Sequence, residues 1–224
     1  MKKLFKFLIK MILIAVAVFA FLGFVQYHKA TREISFEEKI AEIQNAEDYT
    51  RISEIPKTFI NAMVAVEDRR FFKHGGFDPI GIARATYVNI RDKELSEGGS
   101  TITQQLAKNL FFPMDKSPTR KIAELYMALK LEREFDKYEI LELYFNVIYY
   151  GKNCYNIHDA AETYFGKLPK DMTDYECTLL AGIPNAPSVY SNNAELAEKR
   201  QEKVLRSMLK MGYLTEKEIK KILQ

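Results

Sequence analysis

The sequence is poor in the residues that build metal centres or disulfide-stabilised folds. Its 224 residues include no Trp, two Cys and three His. The histidines, His28, His74 and His158, are scattered along the chain and lack metal-ligand spacing. The cysteines, Cys154 and Cys177, allow one disulfide but do not establish it. A metal-organised fold is therefore not predicted, and the pairing of the cysteines stays open.

Alternating apolar and polar residues, the pattern typical of β-strands, are also scarce. Helical spacing dominates instead, and 15 Phe and 13 Tyr supply aromatic core in the absence of Trp. The chain contains no internal repeat and no low-complexity stretch. A body of about 200 residues suits one domain. These features predict a single, mainly α-helical domain.

The excess of positive charge is confined to the N-terminus. The net charge is +3, and four of the 33 basic residues lie within the first ten positions. The other 29 basic residues face 30 acidic ones, so the body of the chain is close to neutral. Nucleic acid is therefore not an expected partner on grounds of charge.

What the N-terminus does have is a long apolar run. Residues 11–25 carry no charge, and residues 7–27 are long enough to cross a hydrocarbon core of about 30 Å if the Lys10 side chain reaches back to the interface. A cleaved signal peptide is the alternative, but bulky residues occupy the places where a small-x-small cleavage site would stand. The preceding lysines favour a cytoplasmic N-terminus. We expect an anchor at 1–27, a juxtamembrane linker at 28–48 and the domain at 49–224.

The first candidate catalytic residue is Glu67, near the end of an apolar helix that follows Pro56. Projected at helical spacing, Glu67 falls inside the apolar arc, one turn after Met63 and one turn before Phe71. A carboxylate in such a setting suits a general base or acid. The alternative is a structural Glu paired with an Arg.

A second segment combines a glycine hinge with a polar helix face. Gly98-Gly99 precede Thr101-x-x-Gln104, which has the form of a capping box. Thr101, Gln105 and Lys108 then lie on one face of the predicted helix. This face is either a solvated stripe or an anion-binding site at a helix N-terminus.

A third helix, expected to be buried, carries Glu124. Arg120 lies one turn earlier on the same side and should keep this carboxylate ionised. Glu67 among apolar groups and Glu124 beside Arg120 would divide acid and base roles between contrasting environments. The alternative is a structural Arg–Glu pair on a core helix.

Together with these segments, two later ones form a series of five motifs. The first two read Glu67-Asp68-x-x-Phe71-x-x-His74-x-Gly76 continuing to Arg84, and Gly98-Gly99-Ser100-Thr101-x-x-Gln104-Gln105-x-x-Lys108-Asn109. The third reads Arg120-Lys121-x-x-Glu124, followed by Glu139-Ile140-Leu141-Glu142-x-Tyr144-x-Asn146. The last two read Tyr150-Gly151 through Ala160-Ala161-x-x-Tyr164-Phe165-Gly166-Lys167, and Leu180-Ala181-Gly182-Ile183-Pro184-Asn185-Ala186-Pro187-Ser188. The chain resembles the peptidoglycan glycosyltransferase family in its monofunctional, membrane-anchored form. The order of the motifs and the 57-residue spacing of the two glutamates carry the resemblance.

The resemblance implies a fold, a reaction and a set of partners. The fold would be a mainly α, lysozyme-like glycosyltransferase domain preceded by one N-terminal transmembrane helix. The reaction would polymerise lipid II into β-1,4-linked glycan with inversion and release of a polyprenyl diphosphate. Lipid II, the growing glycan and the bilayer would be partners, together with other cell-wall synthesis proteins. Moenomycin-like phosphoglycolipids, which resemble the donor, would inhibit.

The resemblance also implies roles for individual residues. Glu67 would be the base, and Glu124 would orient nearby cations or hold a divalent ion, Mg²⁺ or Mn²⁺, at the diphosphate. The residues expected to bind substrate or diphosphate are Lys108, Arg120, Lys121, Arg84, Thr101, Gln105 and Ser100. The residues expected to shape the site are Asp68, Phe71, His74 and Asn109. No cofactor is required with certainty.

Two other functions share parts of this pattern. A lysozyme-like hydrolase would also use paired carboxylates, but it needs neither an anchor nor a cationic cluster. A non-catalytic scaffold would tolerate damage at Glu67 or Glu124, and both are present. One further stretch, residues 110–114, is apolar and runs into a proline. It is either part of the core or a surface lip that dips into the bilayer.

Overall fold

In the computed structural model, residues 2–92, 98–112, 117 and 119–224 are described. Their regular structure is helical, with no strand among them. The α-helices are α1 (Lys2–Glu33), α2 (Phe36–Gln44), α3 (Lys57–Glu67), α4 (Pro79–Asp92), α5 (Ile102–Phe111), α6 (Arg120–Glu134), α7 (Lys137–Phe145), α8 (Ile157–Phe165), α9 (Asp174–Leu180), α10 (Pro187–Tyr190), α11 (Ala194–Met211) and α12 (Glu216–Ile222). Short 3₁₀ turns connect several of them.

Capping boxes start many of these helices, including the one predicted at Thr101. The Thr101 hydroxyl accepts a hydrogen bond from the Gln104 backbone N–H at 3.1 Å, and Gln104 Oε1 accepts from the Thr101 backbone N–H at 3.0 Å. The same reciprocal pairing occurs at Ser35, Asp136 and Thr173. Each box satisfies N–H groups that the first helical turn leaves without partners.

The core lies between α3, α5, α6, α7, α9 and α11. Its largest fully buried side chains include Phe59, Phe71, Tyr144, Phe145 and Tyr150. Helix α5 packs along α6, and α3 packs along α11. These two helix pairs place the C-terminal end of α3 and the first turns of α5 and α6 where a shared site can form.

Helix α1 is the apolar N-terminal helix that the sequence predicts. It has 32 residues and is long and apolar enough to cross a membrane, by length and composition. Most of its side chains are exposed, and Gly23 is its one buried residue. The helix continues to Glu33, beyond the expected end at residue 27, and packs against α6.

The segment 28–48, which was expected to be a linker, is largely helical and packs against the domain. It contains the last six residues of α1 and all of α2, and Phe36 and Ile40 belong to the hydrophobic core. The cause is local: Ser35 caps a helix whose apolar residues recur at helical spacing, so α2 buries one face. The chain between α1 and α3 is therefore part of the packed structure.

The apolar stretch before Pro113 is divided between core and undescribed residues. Leu110 and Phe112 are buried, and the Phe111 ring stacks on Phe36 with centroids 6.1 Å apart. For these residues the core alternative is confirmed. Residues 113–116 lie outside the described residues, and the membrane lip at Met114 stays a prediction.

Neither cysteine forms a disulfide, and both are buried free thiols. Burial is the main cause that raises the pKa of the Cys177 thiol to about 12, and the charges of Asp174 and Glu176 add to it. Since alkylation requires the thiolate, Cys177 should resist it in the folded protein from neutral pH to about pH 9. We expect mass spectrometry to find Cys177 unmodified by iodoacetamide in native protein and modified in urea. Modification in native protein at a rate matching the unfolded chain would contradict this burial.

Candidate active site

Glu67 is the last residue of α3 and lies at a cleft of about 620 Å³. Its side chain is 12% exposed, so it is mostly removed from solvent while reaching the cleft. Cationic side chains dominate the described lining, namely Arg69, Arg84, Arg91, Arg200, Lys203, Arg206 and Lys210. Among the lining residues that are described, Glu67 is the one carboxylate. The cleft therefore suits an anionic ligand.

A chain of two hydrogen bonds orients the Glu67 carboxylate. The Tyr144 hydroxyl donates to Gln105 Oε1 at 3.1 Å, and Gln105 Nε2 donates to Glu67 Oε2 at 3.0 Å. Burial, with a contribution from the charge of Glu67, raises the pKa of Tyr144 well above its usual value. Tyr144 is therefore a neutral donor at physiological pH, and its bond turns the Gln105 amide so that the NH₂ faces Glu67.

Arg200 of α11 approaches the other carboxylate oxygen. Its NH2 lies 3.9 Å from Glu67 Oε1, an atom that accepts no hydrogen bond from any described residue. The structure therefore contains a feature of each interpretation of Glu67. The carboxylate lies in a cleft, as a catalytic group would, and an arginine lies beside it, as in a structural Arg–Glu pair. The loose contact leaves Oε1 without the hydrogen bond that a tight Arg–Glu pair would make.

Glu124 lies on α6, fully buried, between two cations. Arg120 Nε is 2.8 Å from Glu124 Oε1, and Lys121 Nζ is 2.7 Å from Oε2. The predicted pairing of Arg120 with Glu124 is present, and Lys121 completes it. The side chains of Arg120 and Lys121 are 24% and 53% exposed, whereas that of Glu124 is 0% exposed. One buried negative charge therefore holds two cations that remain accessible from outside.

Helix α5 connects the two glutamates. Ser100, two residues before α5, accepts a hydrogen bond from Lys121 Nζ at 3.0 Å and also lines the Glu67 cleft. Gln105, one turn into α5, contacts Glu67. Lys108 and Asn109 follow on the last turns of α5 and are half-buried. The predicted cations thus fall into two groups, since Arg84 lies at Glu67 while Arg120 and Lys121 lie at Glu124.

Thr101 does not take the substrate-binding place predicted for it. Only 2% of the residue is exposed. Its hydroxyl donates to the Gly76 carbonyl at 2.8 Å and accepts from the Gln104 backbone N–H. Because both hydrogen-bonding functions of the hydroxyl are used, Thr101 ties α5 to the loop after α3 instead of facing a ligand.

Asp68, Phe71 and His74, which were expected to shape the site, make contacts within the loop that follows α3 and with the start of α5. Asp68 Oδ2 accepts from the Ile102 backbone N–H at 3.1 Å and lies 2.9 Å from His74 Nε2. The buried Phe71 ring lies edge-on to His74, and the Lys137 ammonium lies over the Phe71 ring, 4.4 Å from its centroid. These contacts fix the α3–α5 junction beside Glu67.

A divalent ion does not fit the place predicted for it. Both oxygens of Glu124 lie within 2.8 Å of a cationic nitrogen, and these two positive charges would repel a divalent cation at the carboxylate. The carboxylates Asp68 and Asp78 do cluster with His74 within 4.8 Å. However, Asp68 accepts a hydrogen bond from the Ile102 backbone N–H, and Asp78 pairs with Arg70, whose Nε lies 3.1 Å from Asp78 Oδ2. Both carboxylates therefore already have protein partners.

Two residues that contact this site were not among the predicted site residues. Tyr144, on α7, belongs to the third motif but was given no role there, and Arg200 lies on α11, far from every candidate in sequence. Tyr144 falls among buried apolar residues, so its pattern indicates core. Arg200 sits on a helix with alternating charges, whose pattern indicates only a solvated face. Their contacts with Glu67 and Gln105 arise from the tertiary packing of α7 and α11.

The described residues form a mainly α-helical domain preceded by one apolar N-terminal helix, which confirms the mainly α fold predicted from the sequence. A family model described as "Transglycosylase" matches residues 36–209, from the first residue of α2 to the end of α11. The chain therefore belongs to the transglycosylase family.

The chain is similar to several named proteins. It is 41% identical over 217 residues to a Cupriavidus necator protein named "Putative transglycosylase", covering 96% of this chain and 94% of that one. It is 48% identical over 169 residues to penicillin-binding protein 1A of Aquifex aeolicus, covering 75% of this chain and 23% of that one. A crystal structure of penicillin-binding protein 1A from Haemophilus influenzae aligns with a TM-score of 0.44 at 22% identity, over 79% of this chain and 17% of that one.

Proposed function

We propose that this chain polymerises lipid II into β-1,4-linked peptidoglycan glycan, with inversion at the anomeric carbon and release of a polyprenyl diphosphate. The observation that carries the proposal is the arrangement around α5. A cleft carboxylate, Glu67, lies on one side, and an accessible pair of cations held by buried Glu124 lies on the other. Glycosyl transfer to a hydroxyl with loss of a diphosphate needs a base and a cationic site close together.

Glu67 acts as the base in this proposal. The acceptor, lipid II, presents a sugar 4-hydroxyl, which is a weak nucleophile while it keeps its proton. As the oxygen attacks the anomeric carbon of the growing glycan, the proton passes to the Glu67 carboxylate. Gln105 holds the carboxylate in position through Oε2, and Tyr144 holds Gln105.

Arg120 and Lys121 stabilise the leaving diphosphate. The bond from the anomeric carbon to the diphosphate oxygen breaks on the face opposite the attacking hydroxyl, and negative charge gathers on the departing group. Cations that are already in place stabilise this charge without reorganising during the reaction. Glu124 keeps the two cations together, so its role is orientation. Lys108 and Arg84 contribute further positive charge, with Arg84 on the Glu67 side.

The localisation proposed is a bacterial plasma membrane, with the N-terminus cytoplasmic and the domain outside. The support is α1, whose first ten residues carry four lysines and whose following run is uncharged. An anchored domain can take a lipid-linked substrate without extracting its prenyl chain from the bilayer. Other cell-wall synthesis proteins as partners belong to this proposal too.

Binding of a moenomycin-type phosphoglycolipid tests the diphosphate site separately from catalysis. Arg120→Ala and Lys108→Ala should each weaken binding about tenfold or more, because each removes a charge-assisted contact to phosphate. Arg120→Lys should recover only part of the affinity if the guanidinium contacts two oxygens at once. The control is Lys170→Ala, an exposed lysine remote from both glutamates in sequence. Unchanged binding in both alanine variants would place the phosphate site elsewhere.

A further inference from the structure

The membrane anchor makes an unusually close contact with the helix that carries the diphosphate cations. Gly23 is the one buried residue of α1. A Cβ at this position would lie 2.4 Å from Ile122 Cγ2 and 2.5 Å from Ile122 Cβ. Any larger residue must therefore push α1 away from the first turn of α6. The contact depends on glycine for the room it leaves.

One turn after Gly23, Gln26 forms hydrogen bonds to the residues that lead into α6. Its Nε2 donates to Ser117 Oγ at 3.0 Å, and its Oε1 accepts from Thr119 Oγ1 at 2.5 Å. Thr119 is the N-cap residue of α6, yet its side chain makes no capping hydrogen bond. The hydroxyl that would ordinarily cap α6 is instead committed to the anchor.

Aromatic packing joins the same two helices. The Tyr126 ring of α6 lies 5.6 Å from the Phe24 ring and 6.1 Å from the Tyr27 ring. The contact between α1 and α6 thus has three parts: a close backbone approach, a polar cluster and an aromatic cluster. Such a contact holds α6 in one orientation relative to α1.

The contact lies directly beside the proposed diphosphate site. Arg120 and Lys121 are the first two residues of α6 and follow Thr119 without interruption. On the α5 side, Ser100 receives a hydrogen bond from Lys121. On the anchor side, Gln26 holds Thr119. The start of α6 is therefore fixed from two directions, one of which is the membrane helix.

We propose that Gln26 and Gly23 are positioning residues, through which the anchor sets the place of Arg120 and Lys121 against the leaving diphosphate. The inference rests on the proposed function and deepens it. An anchor that only tethers the domain could be joined to it by any flexible segment. A helix locked to the N-cap of α6 also keeps the cations at a constant place relative to the bilayer, where a lipid diphosphate lies. Small displacements of catalytic groups are costly, since about 1 Å can lower a rate 10²-fold.

The first test compares variants of the full-length chain in lipid nanodiscs. Gln26→Leu removes both hydrogen-bonding groups, and Gly23→Leu forces the helices apart. Ala17→Leu is the matched control, because Ala17 is an exposed residue of the same helix. We expect kcat/KM for lipid II to fall about tenfold in the two test variants and to stay within about twofold in the control. Melting temperatures and membrane insertion should match in Gln26→Leu and wild type.

A double-variant cycle separates positioning from a general structural role. If Gln26 acts through the cations, Gln26→Leu should lower kcat/KM by a clearly smaller factor in a Lys121→Ala background than in the wild type, because one of the two cations that it positions is gone. In a Gln105→Ala background, where the cations are intact, it should keep its full effect. Near-wild-type activity of Gln26→Leu, or the same factor in both backgrounds, would overturn the inference while leaving the proposed function standing. If the wild-type chain makes no polymer from lipid II, both the proposed function and the positioning role of Gln26 and Gly23 are contradicted.

Discussion

Glu67→Gln should lower the rate of lipid II polymerisation by roughly 10² to 10⁴-fold while the fold persists. The amide has the shape of the carboxylate, and its oxygen can still accept the hydrogen bond from Gln105 Nε2. It cannot take the proton of the acceptor hydroxyl at physiological pH. Polymerisation is measured with labelled lipid II, and folding is measured by the melting temperature.

Glu198→Gln is the control for this variant. It makes the same change of charge on an exposed residue of α11, the helix that carries Arg200. Its activity should match that of the wild type. If Glu67→Gln keeps more than about a tenth of the activity, Glu67 is not the base. A large loss of melting temperature would show that the residue serves mainly to pair with Arg200.

Glu124→Gln should produce the second largest effect, about 10²-fold in activity. The buried carboxylate holds Arg120 and Lys121 within 2.8 Å, and a neutral amide cannot keep both cations in place. The free energy of unfolding should fall by about 2 kcal/mol, a modest amount because both cations can turn towards water. Activity is measured well below the melting temperature, so that the two effects are separated.

Glu134→Gln is the matched control at the exposed end of α6. It should change neither activity nor phosphoglycolipid binding. Glu124→Gln should weaken phosphoglycolipid binding together with activity, because both depend on the placement of Arg120 and Lys121. Loss of activity with unchanged binding would contradict the orienting role and would point to Glu124 taking part in proton transfer.

The sequence allowed the local part of the site to be predicted. Helical spacing alone brings Arg120 and Glu124 together, because both lie on one face of one helix. The capping box at Thr101 follows from four residues, and it places Gln105 one turn into α5. Glu67 is the last residue of α3 and is mostly removed from solvent, in keeping with its place in the apolar arc of the helical projection.

Contacts between distant elements could not be predicted in the same way. Tyr144 and Arg200 reach the Glu67 site through the packing of α7 and α11, which no local pattern specifies. Thr101 was expected at the ligand, but the carbonyl of Gly76 takes its hydroxyl. The segment 28–48 was expected to be a linker, but its apolar face is needed in the core. Gln26 sits in a helix whose composition indicates only a membrane anchor.

Incubation of the purified full-length protein with lipid II in nanodiscs distinguishes a polymerase from a hydrolase and from a non-catalytic scaffold. We expect glycan polymer that a β-1,4-specific muramidase degrades, released polyprenyl diphosphate, and loss of both products in Glu67→Gln. Cleavage of preformed glycan without synthesis would identify a hydrolase. Absence of both reactions in a folded, inserted protein would contradict the proposed polymerase activity and would favour a non-catalytic scaffold.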